Sequence, residues 1–259
     1  VENDLVSTEY TGGGDPQRSI ELLWGVQERP RRGPKPKLTV AMIVTEAIQL
    51  ADAEGLPALA MRRIADNLGV ATMSLYTYVP SKAELIDLMV DAVHGEFEPP
   101  GGLEGGWRAQ LEFIAKANWA LYHRHPWMLQ VITSRPPLGP RTFLKYEYEL
   151  GAVDGIGLTD LEMDAVISVI GAYVQGAART SIGTYQLAQR SGLTDLQWWE
   201  ASAPVLDRIV DNSKFPLGQR VGLAAGEEYS AAFDPARNFA FGLPLVLDGI
   251  EALVASRPR

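Results

Sequence analysis

The sequence predicts an all-α protein, and three observations predict it. From residue 38 onward, apolar residues return every three or four positions, the period that lines one face of a helix. Alternating runs of β-branched residues bounded by turns are essentially missing. Capping residues, glycines and prolines stand where the periodic stretches begin and end. At 259 residues, 46% of them hydrophobic and 21% charged, the chain can bury a sizeable core in one or two domains.

Residues 1–28 contain Gly12-Gly13-Gly14 and Asp15-Pro16 without a sustained period and read as a mostly flexible extension. Residues 19–24 can form one short helix, with Trp24 docking on the body. Arg29-Pro30-Arg31-Arg32-Gly33-Pro34-Lys35-Pro36-Lys37 is too rich in proline for helix or central strand and reads as an extended basic arm. A helix over 39–54 follows, with Val40, Val44, Ala47 and Ala51 on one face, Thr39 as its cap and Gly55 with Pro57 as its stop. A short helix over 61–68 groups Met61, Ile64, Ala65 and Leu68 and ends at Gly69. A third short segment covers 72–78, and Ser81-x-x-Glu84 opens a fourth helix, to about 97, as a capping box. Pro99-Pro100-Gly101-Gly102 marks a boundary, so the expected division is 1–37, 38–98 and 99–259. Six further helices are expected at 107–123, 127–134, 141–153, 160–188, 194–210 and 235–254, with 212–234 as a loop.

Composition narrows the function. No uninterrupted apolar run approaches the ~18 residues of a membrane span, and Val1–Tyr10 lacks the layout of a signal peptide. The absence of cysteine removes a disulfide scaffold, a thiolate metal site and a Cys nucleophile, and fits a cytoplasmic protein. There is no Gly-x-Ser-x-Gly elbow, phosphate loop or His-Glu-x-x-His, so no enzyme and no cofactor are expected. His123-x-His125 carries residues that diverge on a helix and has no third ligand near in sequence, so no metal is expected either.

The informative stretch is MRRIADNLGVATMSLYTYV, residues 61–79. Two helices crossing steeply around a short turn need a small residue at the crossing, a left-handed residue in the turn and an apolar pin on the second helix. Ala65, Gly69 and Leu75 meet those needs in order. With Leu75 and Val79 inward, Thr72, Met73, Tyr76 and Thr77 point outward, as on a short helix that enters a major groove. Between Arg29 and Lys82 stand 8 basic and 4 acidic residues, a local +4 inside a chain of net charge −9. Phosphate affinity needs such a concentration of charge. An ordinary helical hairpin with solvated arginines is the alternative reading of the same spacing.

These residues resemble the DNA-binding domain of the tetracycline-repressor (TetR) family of bacterial regulators. Leu75-Tyr76-Thr77-Tyr78-Val79-Pro80-Ser81-Lys82 carries the resemblance most specifically, within a match over about 38–93. It implies that Tyr76 and Lys82 contact phosphate, that Tyr78 takes a third backbone-contacting place, and that Thr72 and Met73 face bases. Arg62 matches an arginine that reads guanine in some members, which suits a bidentate pair. Ala60 departs from the family's usual Thr or Ser, removing a helix cap worth ~1 kcal/mol and one phosphate contact. Arg31, Arg32 and Lys35 of the arm either reach the adjacent minor groove or belong to a solubility tail.

A weaker resemblance over about 107–179, carried by Trp107-Arg108, His125-Pro126-Trp127 and Arg135-Pro136, is to the family's tetracycline-repressor-like ligand-binding domain. It adds Trp127 and Arg135 to the ligand candidates. From the residues themselves, Asn118 and Tyr122 share a side with Leu111 and Ile114. Ser168, Ala172 and Gln175, with Arg179, share another, and Phe143, Tyr146 and Glu149 add a third group. A mostly apolar pocket with a few polar anchors is what small-molecule recognition needs; satisfied interhelical hydrogen bonds are the alternative. A single reading helix covers one half-site, so a palindrome needs two copies. The family's two-fold bundle implies that 160–188 and 235–254 pack on their mates, with Phe239, Leu243, Val246 and Ile250 as the apolar stripe; packing within one subunit is the alternative. The expected function is a homodimeric regulator, by family default a repressor, that binds a double-stranded operator and is released by a small apolar effector. A helical ligand-binding or scaffolding protein that no longer reads DNA is the rival.

Overall fold

The computed structural model describes residues 9–26, 38–133, 135–229 and 234–257, and these are helical almost throughout. In chain order come β1 (Glu9–Tyr10), α1 (Pro16–Leu23), α2 (Val40–Glu54), α3 (Met61–Asn67), α4 (Thr72–Tyr78), α5 (Lys82–His94) and α6 (Gly106–Arg124). They are followed by β2 (Val131–Ile132), α7 (Pro140–Gly151), α8 (Asp160–Ser191), α9 (Asp195–Ile209), α10 (Pro216–Tyr229) and α11 (Pro235–Ala255).

Among the described residues two large cores stand out, with a small third cluster of Leu129, Ala178 and Ile182 beside them. The first gathers Ile43 and Ala47 of α2, Ile64 and Ala65 of α3, Leu75 of α4, and Leu85 and Met89 of α5. Trp127, Met128 and Val131, which follow α6 in sequence, belong to this core too. The second lies where α6, α8 and α11 pack together, around Leu111, Ile170, Val174, Phe239 and Leu247. α5 is buried on nearly every side, because α1, α2 and α7 all pack against it.

The helix starts follow the chemistry of their caps. Thr39 accepts from Met42 N–H at 3.2 Å, Thr159 and Glu162 form a capping box for α8, and Thr194 and Gln197 form another for α9. α3 begins at Ala60 with no side-chain cap. Gly69 ends it at φ +66°, a conformation that costs a side-chain-bearing residue strain.

The structure corrects several expectations. The extension is a flexible segment in the sequence reading, yet residues 9–26 are built onto the body. Asp15 caps α1 by accepting from Arg18 N–H at 2.8 Å, with Pro16 in the first turn, so the pair starts a helix instead of a bend. Residues 127–134 are not one helix. Pro126–Gln130 is a 3-10 turn, and the β-branched Val131–Ile132 leave it extended to pair in parallel with Glu9–Tyr10. The expected loop over 212–234 contains α10, whose Gly218, Gly222 and Gly226 recur at helical spacing. On α11 the stripe of Phe239, Leu243 and Ile250 is turned inward onto its own subunit, joined by the buried Leu247, with the expected Val246 half-buried against the same core. α11 is also long and apolar enough, at a mean hydropathy of 1.5 over an 18-residue window, to cross a membrane by composition alone, which the count of uninterrupted runs does not reveal. Here it packs on α6 and α8, with Asp248 and Glu251 paired to Arg108 at 2.5 and 2.9 Å.

Candidate functional site

Two places gather the candidate functional side chains, and α5 runs between them. The first is the outer face of α4. Leu75 and Val79 are fully buried, which turns the opposite side of the helix outward: Met73 is 75% exposed, and Tyr76 and Thr77 are exposed beside it. Thr72 is half-buried at the first turn, and Tyr78 is half-buried against the first core. Arg62 on α3 is 87% exposed at its side chain and makes a long ion pair of 4.0 Å with Asp66. Its neighbour Arg63 is instead tied to Glu54 of α2. Lys82, the first residue of α5, holds an ion pair of 2.7 Å with Glu9. Arg62, Met73, Tyr76 and Thr77 are thus open to solvent. Arg31, Arg32 and Lys35 lie outside the described residues.

The second place is a pair of adjoining cavities, about 140 and 410 Å³, that share His94, Lys145 and Glu149. The smaller is walled by Ile114, Asn118, Leu121 and Tyr122 of α6 and by Ile167, Ile170 and Gly171 of α8. The larger opens between the 136–138 loop, Phe143 and Tyr146 of α7, and Asp164 of α8. Their common floor is charged. Lys145, only 12% exposed at its side chain, pairs with Glu149 one turn on and sits 5.5 Å from the Phe97 ring centroid. Asn118 donates to Glu149 at 3.3 Å, and Tyr146 donates to Asp164 at 2.7 Å. Burial, then the Glu149 carboxylate, pushes the Tyr122 phenol up, so it stays a donor.

His94 is held neutral. Burial first, and the Lys145 ammonium second, lower it to about 3. The Thr142 hydroxyl donates to Asp91 at 2.9 Å, so the 2.9 Å contact between His94 Nδ1 and Thr142 Oγ1 requires Nδ1 to carry the proton. Nε2 is then left as an acceptor in the cavity lining. Asp91 also accepts from Thr142 N–H at 2.8 Å. It thereby caps α7 from α5, because Gly139 at the N-cap has no side chain to do so. A Cβ at Gly139 would stand 2.3 Å from the Asp91 carboxylate.

Of the expected ligand residues, the cavities bring together Asn118, Tyr122, Phe143, Tyr146 and Glu149. Trp127 and Arg135 line neither cavity. Trp127 is 1% exposed in the first core and donates from Nε1 to Asp52 of α2 at 2.8 Å. Beside it His125 spans Asp52 at 2.8 Å and Glu96 at 3.1 Å, so His125-Pro126-Trp127 is a joint between the two halves. Glu96 is partly desolvated, yet hydrogen bonds from His125 and Arg124 hold its carboxyl below the usual range. The Arg135 carbonyl accepts from the Thr11 hydroxyl at 2.5 Å, and its side chain lies against Gly12. Ser168 and Ala172 sit on the exposed outer face of α8, and Gln175 is half-buried outside both cavities. Ser168, Ala172 and Gln175 thus line neither cavity; the polar groups of the lining come from α5, α6 and α7, with Asp164 near the start of α8. Sequence reasoning missed His94, Lys145, Thr142 and Asp164. Lys145 stands four residues before Glu149, a spacing that signals an ion pair, but nothing local says that the pair is enclosed.

Comparison with known proteins gives a family for both halves of the chain. The family model described as bacterial regulatory proteins, tetR family, matches residues 43–89, and the one described as tetracyclin repressor-like, C-terminal domain, matches residues 99–254. The HTH-type transcriptional repressor DrrR1 of Streptomyces coeruleorubidus is 47% identical over 252 residues, covering 97% of this chain and 91% of DrrR1. An HTH-type transcriptional regulator of Saccharopolyspora erythraea is 31% identical over 82% of this chain and 86% of its own. Among solved structures, the Streptomyces coelicolor TetR family protein ActR in complex with actinorhodin aligns with a TM-score of 0.67 at 27% identity, covering 86% of this chain and 99% of that one.

Proposed function

Because the chain belongs to the TetR family of bacterial transcriptional regulators, we propose that it is a homodimeric repressor whose grip on operator DNA is loosened by a small molecule in the cavities under α5. The observation that carries this reading is the position of α5. Its first residue, Lys82, adjoins the exposed face of α4, and its last, His94, lines both cavities. Asp91, one turn earlier, holds the start of α7, which supplies Phe143, Lys145, Tyr146 and Glu149.

On this reading Tyr76, Tyr78 and Lys82 meet phosphates, Thr72, Met73 and Thr77 meet base edges, and Arg62 takes a guanine. Arg31, Arg32 and Lys35 add positive charge near this face, which favours a phosphate backbone. A ligand that fills the cavities presses on α7, and the Asp91 clasp passes the shift to α5 and hence to α4. Each ~1.4 kcal/mol by which the ligand prefers the shifted state lowers operator affinity tenfold. A combined space of this size suits a drug-sized apolar molecule with a few polar groups. ActR is known in complex with actinorhodin and with (S)-DNPA, which makes those two compounds the first to try. A cytoplasmic location follows from a partner that is the chromosome.

Dimerisation through α8 and α11 is supported by their unused faces. Val169, Ala172 and Gly176 on α8 and Phe241 and Leu245 on α11 are exposed, and the small residues allow another helix to come close. α9 and α10 bury no residue among those described, and Trp198, Ile209, Leu217 and Val221 stand exposed on them. Sedimentation should give twice the 28.3 kDa chain mass, and Ala172→Arg with Phe241→Arg should give the monomer. Titration of labelled upstream DNA, alone and with each compound, tests the regulatory cycle. Release at ligand concentrations that quench the protein's tryptophans supports it; ligand binding with unchanged DNA affinity refutes the coupling.

A further inference from the structure

The N-terminal segment touches both sites. At one end Glu9 holds the Lys82 ammonium at 2.7 Å, with both side chains largely shielded from solvent. Next, β1 pairs with β2 in the register Glu9 to Val131 and Tyr10 to Ile132, and Thr11 N–H continues the ladder to the Ile132 carbonyl at 3.1 Å. The chain then lies on α5, where Gly12 N–H donates to Asp87 at 2.8 Å and Asp15 N–H to Glu84 at 3.2 Å. Gly12 needs φ +65°, and a Cβ at Gly14 would stand 2.6 Å from the Glu84 carboxylate, so the glycine run is what lets the segment lie this close. At the other end the Trp24 indole donates to the Leu138 carbonyl at 2.8 Å, and its ring centroid is 6.1 Å from that of Phe143. Leu138 and Phe143 both line the larger cavity.

We propose that residues 9–24 are a strap that competes with operator phosphate for Lys82 and is held closed through Trp24 by the wall of the effector cavity. The inference rests on the reading of Lys82 as a phosphate anchor. One ammonium cannot serve Glu9 and a phosphate equally, since the charge that Glu9 neutralises is the charge a phosphate would take. DNA binding therefore requires the strap to yield at Glu9. A ligand that braces Phe143 and the 138 carbonyl keeps Trp24 seated and the strap closed, which weakens the grip on DNA from a second direction.

Fluorescence anisotropy on the chain's own upstream DNA tests this. Glu9→Gln should bind about 3- to 10-fold tighter, with a log–log salt slope steeper by about 0.9, the share of one added phosphate contact. In a Lys82→Met background the same change should do nothing. Trp24→Ala should tighten binding in the same direction and add little to Glu9→Gln. The chain has no cysteine, so Tyr10→Cys with Ile132→Cys makes one disulfide that locks the strap. The oxidised form should bind at least tenfold weaker than the same protein reduced. Equal affinity of the locked and reduced forms, or tightening by Glu9→Gln that persists without Lys82, overturns the strap while leaving the regulator intact. A wild type with no salt-dependent preference for its upstream DNA overturns both.

Discussion

In the helix-turn-helix the candidate residues are the exposed ones, and in the larger half they are the enclosed ones. Met73 and Tyr76 are available because Leu75 and Val79, their neighbours on the same two turns, are fully buried. Lys145 and Glu149 do the opposite: two charges sit in a sheltered floor, compensating each other, with an aromatic ring and an amide around them. The first site is a by-product of one short helix finding its core. The second exists only after α5, α6, α7 and α8 have met. The difference shows that a surface site inherits its geometry from local periodicity, whereas a cavity inherits it from tertiary packing.

That contrast can be broken at chosen residues. Leu75→Ala should cost about 2–5 kcal/mol of stability in urea melts, by removing packing from under the reading face. Tyr76→Ala beside it should leave the melt within about 0.5 kcal/mol and abolish tight DNA binding. Arg62→Ala should weaken operator binding by about 1–3 kcal/mol and relax discrimination at one base pair, read by competition with single-base operator variants.

The enclosed half should announce itself through pH. His94 titrates at about 3 when folded and near 6.5 when unfolded, because burial and then Lys145 disfavour its charge. Above pH 6.5 neither state takes the proton and the group has no effect on stability. As pH falls from 6.5 toward 3 the unfolded chain binds a proton that the folded one refuses, so stability is lost. By pH 5 that loss is about 2 kcal/mol. His94→Asn should therefore lose about 2 kcal/mol less than wild type between pH 7 and pH 5 in parallel denaturant titrations. An identical pH dependence in the two proteins would contradict the enclosure of His94. Smallest of all, Ala60→Ser should add about 1 kcal/mol, since α3 starts without a side-chain cap.

How far the sequence could be read follows the same division. α4 stands at 72–78 as its spacing predicts, and α8 begins at Asp160 behind the Thr159 cap. Those signals are contained in a few consecutive residues. Misreadings arise where a local signal has two outcomes. Asp15-Pro16 opens a helix as readily as a turn, and Pro126 starts a single 3-10 turn before a β-branched pair that finds its partner in Glu9–Tyr10, far off in sequence. Glycines repeating every four residues in α10 look like a loop until they are seen to share a face. Trp127 belongs to a motif typical of a ligand domain, yet its indole is spent on Asp52 across the joint between the halves. For the cavity, helical periodicity points to Asn118 and Tyr122, which line the smaller one, and on α8 to Ser168, Ala172 and Gln175, which line neither. The polar side of a helix and the side that faces a polar cavity look alike when neighbours are unknown.

The account depends most on the exposed face of α4 reading DNA. Anisotropy of the purified protein on its own upstream DNA, titrated with salt and run beside Tyr76→Ala, tests that claim directly. The account predicts tight binding that falls steeply as salt rises and collapses in Tyr76→Ala. Binding no stronger than to random duplex, and equal in the two proteins, would contradict it.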